Sequence, residues 1–177
     1  MYLISVYFDE KTNIQINNYI RAVAKSTSNT FMLDNNVPPH ITIATFETRN
    51  ENKAIEVFDE IVKNVQCGEI NWVTHGIFGH SVIYIAPVLN EYLHNLSVIV
   101  NEGLKQQEEL RLDSKYQPFN WLPHTTIGKT LTKEQQLIAF KTMQNNFGIF
   151  NSTVTSIGLA KTNPFENLSM LILEERK

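Results

Sequence analysis

The chain has almost no cysteine: Cys67 is the only one in 177 residues. That excludes an internal disulfide and any multi-cysteine zinc or iron–sulfur site, and it suits a reducing, cytoplasmic setting. An excess of positive charge is also missing. Fifteen Lys and Arg face eighteen Asp and Glu, for a formal net charge of -3. Coating of a long duplex polyanion is therefore not expected, whereas a short anionic substrate held by a few placed groups remains open. No basic leader precedes the apolar stretch Met1 to Phe8, which runs straight into Asp9 and Glu10. The longest segment free of charged residues, Ile70 to Asn90, contains Asn71, His75, His80 and two glycines, and its apolar residues alternate. It reads as a hairpin and not as a membrane span.

What is present is ordinary globular material, 42% hydrophobic and 19% charged, enough for one substantial core. Met1 to Phe8 has the β-branched and aromatic content of a strand. Thr12 is placed to cap a helix carrying Ile16, Tyr19, Ile20, Val23 and Ala24 at helical spacing. A polar loop, Lys25 to Asn36, leads to a strand over His40 to Phe46. A helix opening at Asn50 carries Ile55, Phe58, Ile61, Val62 and Val65, and a strand over Glu69 to Phe78 ends at the turn by Gly79. The order then repeats: a strand over Ser81 to Ala86, then a helix through Leu89, Tyr92, Leu93, Leu96, Ile99 and Val100. A polar connection from Gly103 to Phe119 precedes a strand over Trp121 to Lys129. Thr132 and Gln135 have capping-box spacing for a helix reaching Asn146. Two strands, Phe150 to Ala160 and Leu168 to Leu173, close the chain. Two matching halves, 1–79 and 80–177, predict a single bilobal domain with no linker.

The same five-residue pattern stands at the same place in each half: Pro39-His40-Ile41-Thr42-Ile43 and Pro123-His124-Thr125-Thr126-Ile127. Composition alone predicts about 0.17 Pro-His pairs in such a chain; two occur, each with Thr at the same offset. In a strand, residues i and i+2 share a face, so His40 projects with Thr42 and His124 with Thr126, while the isoleucines point the other way. Two imidazoles titrating near neutrality supply a base and an acid for one turnover. Two hydroxyls supply donors for the oxygens of a phosphate lying between them. That chemistry needs neither metal nor cofactor.

These residues resemble the 2H phosphoesterases, a family named for two His-x-Thr/Ser-x tetrads. His40-Ile41-Thr42-Ile43 and His124-Thr125-Thr126-Ile127 match both, 84 residues apart. The resemblance implies a bilobal α+β fold with a pseudo-twofold axis, two antiparallel-dominated sheets facing a central cleft and helices outside. It also implies a metal-independent phosphodiesterase with His40 and His124 as acid and base and with Thr42 and Thr126 on the phosphate. The substrates implied are 2′-linked phosphodiesters: 2′,3′-cyclic nucleotides, RNA ends or 2′-5′ oligonucleotides. The same site run in reverse is an ATP-independent 2′-5′ RNA ligase, and a binder that sequesters a nucleotide messenger without turnover is the non-catalytic alternative. Ala44-Thr45-Phe46 and Gly128-Lys129 follow the tetrads, where bacterial ligases of the family often carry an arginine, so the chain resembles a divergent member.

Further candidates for substrate contact are Phe46, on the His40 face, and Trp121 or Phe119 just before the second tetrad; Tyr84 has similar standing. Lys129 is a candidate phosphate neutraliser, although strict alternation turns it away from His124. His75 and His80 are expected to be turn and surface residues without acidic or cysteine partners. His94 is expected on the open side of its helix. A monomer, with a small nucleotide or an RNA terminus as its only partner and no membrane, completes the expectation.

Overall fold

A computed structural model of the chain describes residues 1–162 and 164–174. In chain order it contains β1 (Tyr2–Phe8), α1 (Glu10–Thr27), α2 (Phe31–Asp34), β2 (Ile41–Glu47), α3 (Glu51–Val62) and β3 (Gly68–Phe78). The second half contributes β4 (Val82–Pro87), α4 (Glu91–Lys105), β5 (Arg111–Leu112), β6 (Thr125–Gly128), α5 (Lys133–Asn146), β7 (Phe150–Lys161) and β8 (Glu166–Ile172). Among the described residues no helix is long and apolar enough to cross a membrane.

The α+β fold is built on antiparallel pairs throughout, in the order β5-β2-β1-β7-β3-β4-β6, with β8 added beside β7. The internal symmetry is legible in that order. β2-β1-β7 on one side of the middle corresponds to β6-β4-β3 on the other, so each half lends its last strand to the first two strands of the other half. The strands of the two halves therefore form one hydrogen-bonded path, joined where Gly68 to Trp72 of β3 pairs with Phe150 to Val154 of β7. Helices cross over in the same way. α1 packs on β6 and α5, and α4 packs on β2 and α3.

Local chemistry explains the elements. β1 is buried at all seven positions because it lies between β2 and β7. α1 begins one turn earlier than the sequence suggests, since Asp9 is the cap: its carboxylate accepts from the Thr12 amide at 2.8 Å and the Thr12 hydroxyl at 2.9 Å. The same carboxylate accepts from the Thr153 amide at 2.9 Å, which pins the start of α1 to β7. The stripe Ile16, Tyr19, Ile20, Val23 and Ala24 is buried as its spacing requires. Asn50 caps α3, and the Thr132–Gln135 capping box closes on α5 as expected. In α4, Leu93, Leu96 and Val100 are buried, but Leu89 precedes the helix and Ile99 is 49% exposed on it.

Four further differences have physical causes. The strand expected over Trp121 to Lys129 is ordered as β only from Thr125, because Pro123 has no amide to give a ladder. The loop after α1 contains the short α2, and the charged connection after α4 contains β5, paired with β2. Asn101 in α4 anchors that connection by donating to the Tyr116 carbonyl at 3.1 Å. Cys67 stands directly before β3 and not at a helix end; its amide donates to the Glu174 carbonyl.

Candidate active site

Both tetrads open their strands in the same way. His40 immediately precedes β2 and His124 immediately precedes β6. Each imidazole uses Nδ1 to reach the backbone carbonyl two residues earlier, Pro38 for His40 and Leu122 for His124, both at 2.8 Å. A carbonyl only accepts, so Nδ1 carries the proton and Nε2 is left as the free lone pair in the neutral ring. The residue before each proline is held extended, which aims its carbonyl back at the histidine. Only backbone is needed there, and Pro38 and Leu122 serve equally.

A second shared device lies at the end of each tetrad. In β2 the pairing steps from Ser5↔Thr42 to Ile4↔Ala44, leaving Ile43 as a bulge. In β6 it steps from Tyr84↔Thr126 to Ile83↔Gly128, leaving Ile127 as the matching bulge. Both isoleucines are fully buried. A bulge adds one residue to one strand and re-aims everything beyond it. Here it drives an apolar plug into the core directly after the His-x-Thr segment, so that segment is anchored from behind.

The bulge also explains the position of Phe46. Strict alternation predicts it on the His40 face, but the extra residue reverses the register beyond Ile43, and Phe46 lies in the core, 1% exposed, stacked on Tyr2 at 5.5 Å. Phe46 is therefore not beside the histidine. Trp121 packs against the core with its indole N–H buried and, among the described residues, without a hydrogen-bond partner. Lys129 is exposed, with its ammonium 5.9 Å from the Phe31 ring of α2. Phe119 is 87% exposed and lies against His94 at 4.5 Å, so His94 is not on an empty helix face. His75 is not a turn residue either: it stacks on Phe140 at 4.8 Å and Phe147 at 5.7 Å.

The two tetrads meet. The Thr125 hydroxyl donates to the His40 carbonyl at 2.7 Å, a bond that spans 85 residues and ties the second residue of one tetrad to the first of the other. Thr125 is 2% exposed, so the donor side of that bond is buried while the His40 side is half-buried. His40 and His124 are half-buried, and the pKa of each falls below the ordinary imidazole value. Burial is the main cause for both, while the Nδ1–carbonyl bonds act in the opposite direction. His40 is lowered further by the charge that His124 carries when protonated, as expected of rings sharing one cleft.

The walls differ. Beside His40 are Tyr7, with ring centroids 6.2 Å apart, and Ser5, whose hydroxyl lies 3.5 Å from that of Thr42. Beside His124 are Phe78, edge-on at 4.7 Å, and Tyr84 at 5.6 Å, the two aromatic rings stacked on each other at 4.4 Å. Gly76 makes room for this pair, because a β-carbon there would stand 2.5 Å from the Tyr84 hydroxyl. Ser5, Tyr7, Thr125 and Phe78 are absent from the candidates that sequence reasoning finds. Ser5 and Tyr7 did carry a signal, since alternation puts both on one face of the first strand.

The 2′-5′ RNA ligase superfamily profile matches residues 13–164, most of the chain and both tetrads. The chain belongs to that superfamily. Its members are the 2H phosphoesterases that the tetrads resemble. Solved structures agree on the fold. Escherichia coli LigT in complex with 3′-AMP superimposes with a TM-score of 0.63 at 13% identity, covering 98% of each chain. A protein described as a phosphoesterase gives 0.63 at 14% identity, again over 98% of each. Kluyveromyces marxianus Usb1 gives 0.53 at 11% identity over 94% of this chain and 96% of its own. No curated protein sequence matches.

Proposed function

We propose that the protein is a metal-independent phosphodiesterase acting on 2′-linked phosphodiesters, with 2′,3′-cyclic nucleotides or RNA ends as its substrates. The observation that carries this reading is the duplicated geometry. Two histidines with Nδ1 tethered to backbone and Nε2 free sit at neighbouring strand starts joined by the Thr125–His40 bond. Small nucleotides also fit the family, since LigT has been solved with 3′-AMP, with ATP and with NADP+.

His40 is assigned as the base. Burial and the nearby His124 charge both favour its neutral form, and its Nε2 lone pair takes the proton of the attacking water. His124, at the more aromatic wall, is assigned as the acid: it enters the step as the imidazolium, gives its Nε2 proton to the departing ribose oxygen, and is reprotonated from solvent while His40 releases the proton taken from water. In the ligation direction the two roles exchange. Thr42 and Thr126 donate to the non-bridging phosphate oxygens, where negative charge gathers in the transition state. Phe78 and Tyr84 offer a flat apolar face on which a base stacks, a contact generally worth about 1–3 kcal/mol.

The test is ring opening of 2′,3′-cyclic AMP in EDTA, followed by phosphorus NMR. Conversion to a phosphomonoester supports the reading. Stoichiometric binding without conversion identifies a nucleotide binder, and absence of both refutes the assignment.

A further inference from the structure

Tyr7 is a polar side chain that the proposed reaction leaves unused. It lies on β1 two residues beyond Ser5, on the strand face that carries Thr42, and its ring approaches His40 to 6.2 Å. It is 5% exposed, and among the described residues its hydroxyl has no hydrogen-bond partner. Buried hydroxyls without partners are uncommon in folded proteins, and each is a standing cost that a phenylalanine would avoid. Burial pushes the phenol up to about 12, so the group keeps its proton at any working pH and acts only as a neutral hydroxyl. The neighbouring strand accommodates the ring with Gly158, where a β-carbon would stand 3.1 Å from Tyr7 Cε2 and 3.5 Å from Met170 Cε. The ring edge and the end of the Met170 side chain thus both border the space above Gly158. Met170 is 45% exposed, and its unbranched thioether moves aside readily.

We propose that the Tyr7 hydroxyl is a catalytic donor to the substrate: it hydrogen-bonds a phosphate oxygen on the His40 side of the cleft, adding a third donor to those of Thr42 and Thr126. This rests on the phosphodiester reading of the site. In the free protein the donor is buried, so a bound substrate reaches it only when a neighbouring side chain shifts; Met170, exposed and bordering the same space, is the one proposed to move.

Tyr7→Phe keeps the ring above Gly158 and removes only the oxygen. The expected result is a fall in kcat/KM for 2′,3′-cyclic AMP of about 100–1,000-fold, in the range of a lost transition-state donor, with a melting temperature equal to or above wild type. Affinity for inorganic phosphate, measured by calorimetry, falls several-fold in the same variant. Wild-type kinetics and wild-type phosphate affinity in Tyr7→Phe overturn the proposal, as does a loss of activity that merely follows a lowered melting temperature. If the wild-type protein opens no cyclic nucleotide, the catalytic reading fails by itself and phosphate affinity decides. A several-fold loss in the variant keeps the donor, while equal affinity, or no phosphate binding by the wild type, removes it.

Discussion

His40 and His124 are held by the same backbone device and stand in different surroundings. Each bonds a carbonyl two residues back, each precedes a strand, and each tetrad ends in a buried bulge. Yet Ser5 pairs with Thr42 where Tyr84 pairs with Thr126. The His40 wall carries the buried Ser5 and Tyr7 hydroxyls; the His124 wall is aromatic, with Phe78 37% exposed. What both halves keep is an imidazole with Nδ1 tied to backbone and Nε2 free, which on the proposed reading faces a phosphate. What differs is the environment, which on that reading biases one ring toward base and the other toward acid.

The comparison breaks most visibly at the rings themselves. His40→Ala and His124→Ala are each expected to lower kcat by about 10³-fold or more, and the double variant by little beyond either, since the two act in one turnover. Steady-state kinetics on 2′,3′-cyclic AMP read this, and near-normal activity in either single variant removes that histidine from its role. The hydroxyls come next. Thr42→Val and Thr126→Val keep strand shape and are expected to cost about 100–1,000-fold in kcat each; a cost at one threonine only would mean that the phosphate leans to one side.

Stability sharpens the comparison further. Ile43→Ala and Ile127→Ala each empty a fully buried bulge position, with an expected loss of about 2–5 kcal/mol in denaturant titrations. Equal losses would show that the two anchors are equivalent, and a loss at one only would show that the symmetry is not energetic. The effect of pH is smaller. His40, His75 and His124 all bind protons less readily folded than unfolded, so the unfolded chain takes up more protons between its own imidazole range and the lower folded values. Stability from this source is fully present above the unfolded imidazole range and is lost as pH falls through it toward the folded values. Melting temperature is expected to drop on acidification from about pH 7.5 to 5, less steeply in His40→Gln. A slope unchanged by that substitution contradicts the assigned environment of His40. Least of all, Lys129→Ala is expected to leave turnover unaltered, because its ammonium lies over Phe31.

Much of this was legible from residues alone. The tetrads, the α1 stripe and the Thr132–Gln135 box are periodic or paired signals that local geometry reads directly. Phe46 was misplaced because a bulge carries no residue signature: Ile43 looks like any strand isoleucine, and one inserted residue reverses every side chain beyond it. Asp9 displaced Thr12 as the cap of α1 because its carboxylate also meets an amide 144 residues away. The Thr125–His40 bond and the isolation of the Tyr7 hydroxyl are likewise products of strand pairing between distant segments, invisible until the fold brings them together.

The central claim is that both imidazoles address one phosphate through Nε2. Nitrogen-15 NMR of the histidine rings during titration with inorganic phosphate tests it most directly. The account predicts that the Nε2 resonances of His40 and His124 shift together along one isotherm at one equivalent, while each Nδ1 stays protonated. Shifts at one ring alone, or at two unrelated affinities, would contradict it.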